Sequence, residues 1–317
     1  MILSIDNIKK DVFKMKKLSG ITVAMTTPFT KDNQVDYAAM AKQTKFLVKK
    51  GVDCLYPCGT TGEMLRLSLE ERKKIMDTVL EAAGGKVVVY FHCGAVNEEE
   101  TIELCKYAEK IGADGIGVVT PQFFGLNHRE MVEFYVRVAN SVKKSFPVYL
   151  YNIPQCAAND ITVAEAAEIA ERCPNIVGLK YSWADIGRTM DYLGIRDGKF
   201  SVMHGNDRHL IAWAALGCDG TVSGISGVFP EPFVKVWKCI KEGKWDQARK
   251  YQRQAAEITD ILHAGANMAY FKAALEYRGL DGGHMRAPQL DLLPADVKAL
   301  QKDIDAFCKK YGYKVKG

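Results

Sequence analysis

Val177-Gly178-Leu179-Lys180-Tyr181-Ser182 is the stretch on which the reading of this chain turns, because it delivers a lysine at the end of a short apolar run of buried-strand length. On this stretch alone the commoner state is a lysine that snorkels to water from the strand exit. The alternative is functional: burying an ammonium among apolar side chains favours its neutral form, and a free amine is a nucleophile toward a ketone. About one βα unit earlier a second strand-like run, Pro147-Val148-Tyr149-Leu150-Tyr151, ends in a tyrosine and is followed by Asn152-Ile153-Pro154. Two adjacent strand ends thus present a phenol and an amine.

Outward from these two runs, strand-like and helix-like patterns alternate. Strands are expected at 21–25, where Pro28 closes the run, and at Cys54–Tyr56, 86–91, Gly115–Val119, 148–151, 176–179, 200–203 and 219–222. Helices are expected near 36–50, from Ser68, and near 98–111, 128–144, 163–172, 184–194 and 207–217. Ser68 and Glu71 form an S-x-x-E capping box that marks one helix start. Eight strands with intervening helices and short connections predict an α/β fold, a (β/α)8 TIM barrel over 19–228, with a doubly wound open sheet as the alternative. Residues 1–18 read as an amphipathic N-terminal extension. Helical patterns at 231–242, 244–263, 266–278 and 294–309 outnumber what a barrel needs, and no Pro/Gly/Ser-rich linker precedes them. Residues 229–317 are therefore expected as a C-terminal helical extension packed on the barrel.

Composition narrows the function. The chain has 317 residues, 48% hydrophobic and 26% charged, the balance of an ordinary globular protein with a sizeable core. Its net charge of +5 owes much to Lys9, Lys10, Lys14, Lys16 and Lys17, which lack the interleaved aromatics of a nucleic-acid platform. Nine cysteines, an odd number without paired short spacings, fit reduced thiols better than a disulfide framework. The six histidines are scattered without metal-ligand spacing. With neither a signal-type apolar run nor one long enough to span a bilayer, the expectation is a cytoplasmic protein without membrane or nucleic-acid partners.

In a barrel the active site lies at the C-terminal strand ends, so the residues there are the candidates. After the second strand comes Gly59-Thr60-Thr61-Gly62-Glu63, whose backbone N–H groups and hydroxyls could grip a carboxylate. A plain turn with the threonines as local caps is the competing interpretation. The fifth and sixth strands bring Tyr151 and Lys180. The seventh is followed by His204-Gly205-Asn206-Asp207, equally readable as a helix start capped by Asn206 or Asp207.

Together these parts resemble the pyruvate-dependent class I aldolases of the N-acetylneuraminate lyase and dihydrodipicolinate synthase superfamily, from about Gly20 to about residue 300. The resemblance rests on Thr26-Thr27-Pro28-Phe29 with Val35-Asp36, on Gly59-Thr60-Thr61-Gly62-Glu63, on Tyr151-Asn152-x-Pro154, and on Gly178-Leu179-Lys180, in the family's order and spacing. It implies a Schiff base between Lys180 and the keto carbon of pyruvate or a longer 2-oxo acid, with no cofactor and no metal. Tyr151 would move the proton, Thr60 would join it in a hydroxyl relay, and Thr61 with the Gly62 backbone would hold the substrate carboxylate. Ser182, Gly205, Asp207, Val222 and Ser223 would line the rest of the substrate site. The resemblance also implies a homotetramer, a dimer of dimers.

Departures from the family pattern bear on the substrate. Cys156 stands where the synthases tend to carry an arginine for the second substrate's carboxylate, and Ala157-Ala158 replaces the small-residue-plus-glycine pair the family often shows just after. Ser182 supplies a hydroxyl as in the lyases, whereas Asp207-Arg208 and Gly224 depart from the neuraminate lyase pattern. The leading expectation is a lyase that cleaves or forms a carbon–carbon bond in a 2-oxo-3-deoxy sugar acid or related hydroxy-oxo acid and releases pyruvate. The alternatives are a dihydrodipicolinate (4-hydroxy-tetrahydrodipicolinate) synthase condensing pyruvate with aspartate semialdehyde, and a non-catalytic 2-oxo acid binder. In the fourth loop Phe123 replaces the family's relay tyrosine. It is expected at a subunit contact near the partner's site, against the alternative that Phe123 and Phe124 bury within their own chain.

Overall fold

The computed structural model describes residues 15–263 and 267–316, so most of the expected 1–18 extension lies outside the described residues. Eight parallel strands close into a barrel in sequence order. They are β1 (Gly20–Ala24), β2 (Cys54–Tyr56), β3 (Val88–His92), β4 (Gly115–Val119), β5 (Val148–Asn152), β6 (Ile176–Tyr181), β7 (Ser201–His204) and β8 (Gly220–Ser223). Closure requires β8 to meet β1, and Gly220 allows it: a Cβ there would lie 2.1 Å from the Gly20 carbonyl oxygen.

The outer layer consists of α1 (Tyr37–Lys50), α2 (Leu69–Ala83), α3 (Glu98–Lys110), α4 (His128–Asn140), α5 (Val163–Arg172), α6 (Ile186–Leu193) and α7 (Leu210–Leu216). After them come α8 (Pro230–Lys241), α9 (Trp245–Ile261), α10 (Met268–Tyr277) and α11 (Pro294–Tyr311), the C-terminal helical extension. The capping box at Ser68 and Glu71 is present, and two more, Asn127 with Glu130 and Thr162 with Glu165, start α4 and α5. The main core fills the space between sheet and helices, while a smaller cluster including Tyr56, Tyr90, Tyr149, Met203 and Val222 fills the barrel itself. Among the described residues no helix is long and apolar enough to cross a membrane.

Several boundaries differ from the expected ones for local reasons. β6 and β5 each run one or two residues further, so Lys180 and Tyr151 lie inside strands, held by the pairs Tyr151 with Lys180 and Asn152 with Tyr181. The helix expected at 128–144 ends at Asn140, where the Ser141 hydroxyl donates to the Val138 carbonyl at 2.7 Å and diverts the last turn. The helix expected at 207–217 is a short 3-10 turn, Asp207–His209, followed by α7. Asn206 takes its N-cap position but makes no side-chain cap bond, its side chain pairing with the His209 ring at 2.8 Å instead.

Candidate active site

The site begins with Gly178. Residues two apart on a strand share a face, so Gly178 and Lys180 both point into the barrel. A Cβ at Gly178 would lie 2.4 Å from the Ser201 carbonyl oxygen and 2.6 Å from the Tyr149 ring, so only glycine lets β6 sit between those neighbours. Lys180 is thereby held 7% exposed, its Nζ 3.9 Å from the Tyr151 ring centroid and 5.6 Å from that of Tyr56. The Tyr151 hydroxyl lies 3.1 Å from Thr60 Oγ1. Thr60 therefore serves neither as a local cap nor as an idle turn residue.

Behind this pair sits His92, buried and edge-on to Tyr151 at 5.8 Å. Burial above all, then the Arg72 and Lys180 charges, holds its pKa well below the usual histidine range. The neutral ring donates from Nδ1 to the Cys58 carbonyl at 3.0 Å and accepts the Val119 N–H at Nε2. Arg72 from α2 ties down the same strand end, donating to the carbonyls of His92 and Gly94 at 2.6 and 2.9 Å.

The turn after β2 is tightly determined. Cys58 and Glu63, on either side of the threonines, both take left-handed backbone angles, with φ of 61° and 59°. Thr27 Oγ1 donates to the Gly62 carbonyl at 2.8 Å, and a Cβ on Gly62 would press on Cys58 N and Met25 O at 3.0 and 3.1 Å. The Glu63 carboxylate is clasped by two cations, Lys272 Nζ at 2.6 Å and Arg66 Nη1 at 2.7 Å.

These elements surround a cavity of about 560 Å³ at the C-terminal mouth of the barrel. Of the residues expected at a site, Thr60, Thr61, Tyr151, Lys180, Ser182, Gly205, Asp207 and Val222 line it. Gly205 makes room for the Ser182 hydroxyl, which a Cβ would meet at 2.3 Å. Gly62 and Ser223 stand behind the wall. Ser223 is buried, accepts the Ser226 N–H and lies against Asp207. Asp207 is partly exposed as a residue, yet its Oδ1 is enclosed without a hydrogen-bond partner. Burial raises its pKa to about 6, against the opposing pull of Ser223, Lys180 and the Ile225 N–H.

Phe123 is outside the cavity. It is 85% exposed at φ 73°, stacked edge-to-face on Phe124, with centroids 5.0 Å apart. Burial of this aromatic pair within its own chain is thus overturned. The loop is nevertheless fixed, since Asn159 donates to the carbonyls of Pro121 and Phe124 and accepts the Leu126 N–H. Met268, Phe271 and Gln289, absent from the sequence-based candidates, complete the wall from the C-terminal extension. Strand-end reasoning cannot find them, because they follow no barrel strand. A second cavity of about 620 Å³ between α3 and α4 is lined by ion-paired residues such as Glu98 and Arg137 and holds no amine beside a phenol. No cluster of metal-ligating side chains occurs among the described residues.

A closed (β/α)8 barrel whose mouth pairs a buried lysine with a tyrosine has the make-up of a class I aldolase. Comparison with known proteins makes the class specific: residues 17–307 match the dihydrodipicolinate synthetase family, and the chain belongs to that family of pyruvate-dependent lyases and synthases. The 4-hydroxy-tetrahydrodipicolinate synthase of Methanosphaerula palustris is 32% identical over 288 residues, 90% of this chain and 97% of that protein. The structure of YagE, an E. coli K12 prophage protein solved with pyruvate, aligns with TM-score 0.86 and 29% identity, covering 92% of this chain and 99% of that one. The N-acetylneuraminate lyase of Mycoplasma synoviae aligns with TM-score 0.82 and 26% identity over 92% and 98% of the two chains.

Proposed function

We propose that this protein is a retro-aldol lyase that cleaves a 2-oxo-3-deoxy sugar acid or related hydroxy-oxo acid to pyruvate and an aldehyde through a Schiff base on Lys180. The observation that carries it is the Lys180 amine against the Tyr151 ring with the Tyr151–Thr60 hydroxyl pair in one cavity. In this reading the free amine adds to C2 of the 2-oxo acid and water leaves with a proton from Tyr151, giving an iminium and a phenolate. Tyr151 accepts the C4 hydroxyl proton as the C3–C4 bond breaks, the aldehyde departs, and the bond's electron pair settles into the enamine. Tyr151 passes that proton to C3, and addition of water then releases pyruvate and the amine, with the freed proton restoring the Tyr151 phenol. Thr60 relays the proton and Thr61 holds the substrate carboxylate, so the ketone stays within reach of Nζ. The reaction needs no added cofactor.

Other residues of the cavity wall support this substrate class. Ser182 and Asp207 offer a hydroxyl and a carboxyl to a polyol, whereas a carboxylate-bearing aldehyde would meet Asp207 and find Cys156 in place of a cation. A second reading, condensation of pyruvate with aspartate semialdehyde, is favoured by the relative named as 4-hydroxy-tetrahydrodipicolinate synthase. The proposal includes assembly into a homotetramer and work in the cytoplasm, supported by exposed apolar patches and by nine free cysteines.

The test is borohydride reduction with pyruvate followed by mass spectrometry. One pyruvyl adduct on the wild type and none on Lys180→Ala is expected; no adduct on the wild type, or equal adduct on both, sinks the mechanism. A panel assay for released pyruvate then ranks keto-deoxy sugar acids above the semialdehyde condensation, and the reverse order promotes the synthase.

A further inference from the structure

We propose that Lys272, in the C-terminal extension, is a positioning residue for the substrate carboxylate: it clamps Glu63 and so fixes the Thr60-Thr61 turn. The inference rests on the reading that this turn holds the 2-oxo carboxylate. Lys272 and Glu63 side chains are each 2% exposed, and their contact is 2.6 Å. Charges so deeply buried are costly unless matched, and this pair is matched by each other, with Arg66 beside Glu63 and the Asp291 charge near Lys272. Lys272 Nζ also donates to the His284 carbonyl at 2.7 Å and lies over the Phe29 ring at 4.3 Å. Arg66 takes the other Glu63 oxygen and reaches Gln289 at 3.0 Å.

The turn needs such a clamp. Glu63 is held in a left-handed conformation that a side chain disfavours, immediately beyond the two threonines and Gly62. Released from Lys272, the residue would relax toward an ordinary backbone conformation and carry Thr61 with it. The same helix approaches the turn at a second place. A Cβ on Gly224 would lie 3.0 Å from both Phe271 and Thr61 Oγ1, so Thr61 and the residue next to Lys272 flank one narrow gap. Close packing supports the helix in turn, since a Cβ on Gly282 would strike the Lys272 carbonyl at 1.9 Å. Glu63 takes no direct part in chemistry here, as both its oxygens are occupied by cations.

The experiment uses the full chain and pyruvate as the probe, measuring the trapped fraction against pyruvate concentration for wild type, Lys272→Met, Lys272→Arg and the double variant Glu63→Gln/Lys272→Met. Lys272→Met is expected to raise the half-saturating pyruvate tenfold or more while trapping at saturation stays at the wild-type level, and Lys272→Arg to restore part of the shift. A merely structural lysine would lower the melting temperature and the extent of trapping but leave half-saturation unmoved, which overturns the proposal. If Lys272→Met does not fold, the double variant decides, because it removes both deeply buried charges and leaves only the part-exposed Arg66, which keeps its bond to Gln289. Wild-type half-saturation in that variant overturns the inference; a tenfold rise supports it. A wild type that traps no pyruvate refutes the Schiff-base reading itself and this inference with it, whereas normal wild-type trapping with unshifted variants refutes only the clamp.

Discussion

In the proposed mechanism Tyr151 is both wall and reagent. Its ring covers the Lys180 amine, while its hydroxyl pairs with Thr60. Replacement by phenylalanine keeps the ring and removes the proton carrier, so turnover by Tyr151→Phe should fall about 10²–10⁴-fold with pyruvate release as the measure. Asp207 gives a pH-dependent prediction. Its carboxyl keeps a proton in the folded protein to about pH 6, against an ordinary value of 3.8. The folded state therefore binds more protons between those values, and this group makes stability fall as pH rises through about 4 to 6 and stay lower above. Asp207→Asn should remove that decline, recovering at most about 3 kcal/mol at pH 7.5 and nothing near pH 3.5, as read by denaturant unfolding at both pH values. Lys180 and Tyr151 were legible in the sequence because each ends an apolar run. The environment of Asp207 was not, since enclosure of its Oδ1 depends on residues brought in from β8.

Strands and helices were legible in their order and type, and less so at their ends. The alternation survives because each element carries its own period and its own stop signals, as the Ser68 capping box does for α2. Ends were misplaced where a tertiary contact prolonged a strand, as at Lys180, or where a serine hydroxyl cut a helix short, as at Ser141. Ser68→Ala should cost about 1 kcal/mol of stability in a denaturant titration and leave pyruvate trapping intact. Gly178→Ala is the opposite case. The added methyl meets Ser201 O and the Tyr149 ring, so β6 must shift, with a cost of roughly 1–3 kcal/mol and a loss of trapping beyond what unfolding explains. Trapping at the wild-type level by a folded Gly178→Ala protein would show that Lys180 does not depend on this packing.

For the whole molecule, the distribution of exposed apolar side chains is the informative feature. Leu65, Val96, Phe123 and Phe124 sit in loops after three successive strands, β2, β3 and β4, and Trp183, Ile186 and Met190 form a second group before and along α6. A monomer rarely leaves such groups in water, so each is assigned a subunit contact in the proposed dimer of dimers. Sedimentation of the wild type should show a tetramer. Phe123→Ala should weaken it, and Met190→Asp should yield smaller, folded species; a stable wild-type monomer with full activity would refute the arrangement. Phe123→Tyr, which restores a phenol, should leave assembly intact and preserve or raise the rate.

The dependence of the turn after β2 on a lysine in α10 also has a meaning in time. Synthesis delivers the turn and Lys180 well before Lys272, and at 5–20 residues per second the interval between Glu63 and its proposed clamp is roughly 10–40 s. On the proposed mechanism, a nascent chain still on the ribosome would carry Lys180 without a formed grip on the 2-oxo acid. If the proposed clamp holds, a chain stalled just before α10 should fail to trap pyruvate at concentrations that saturate the released protein.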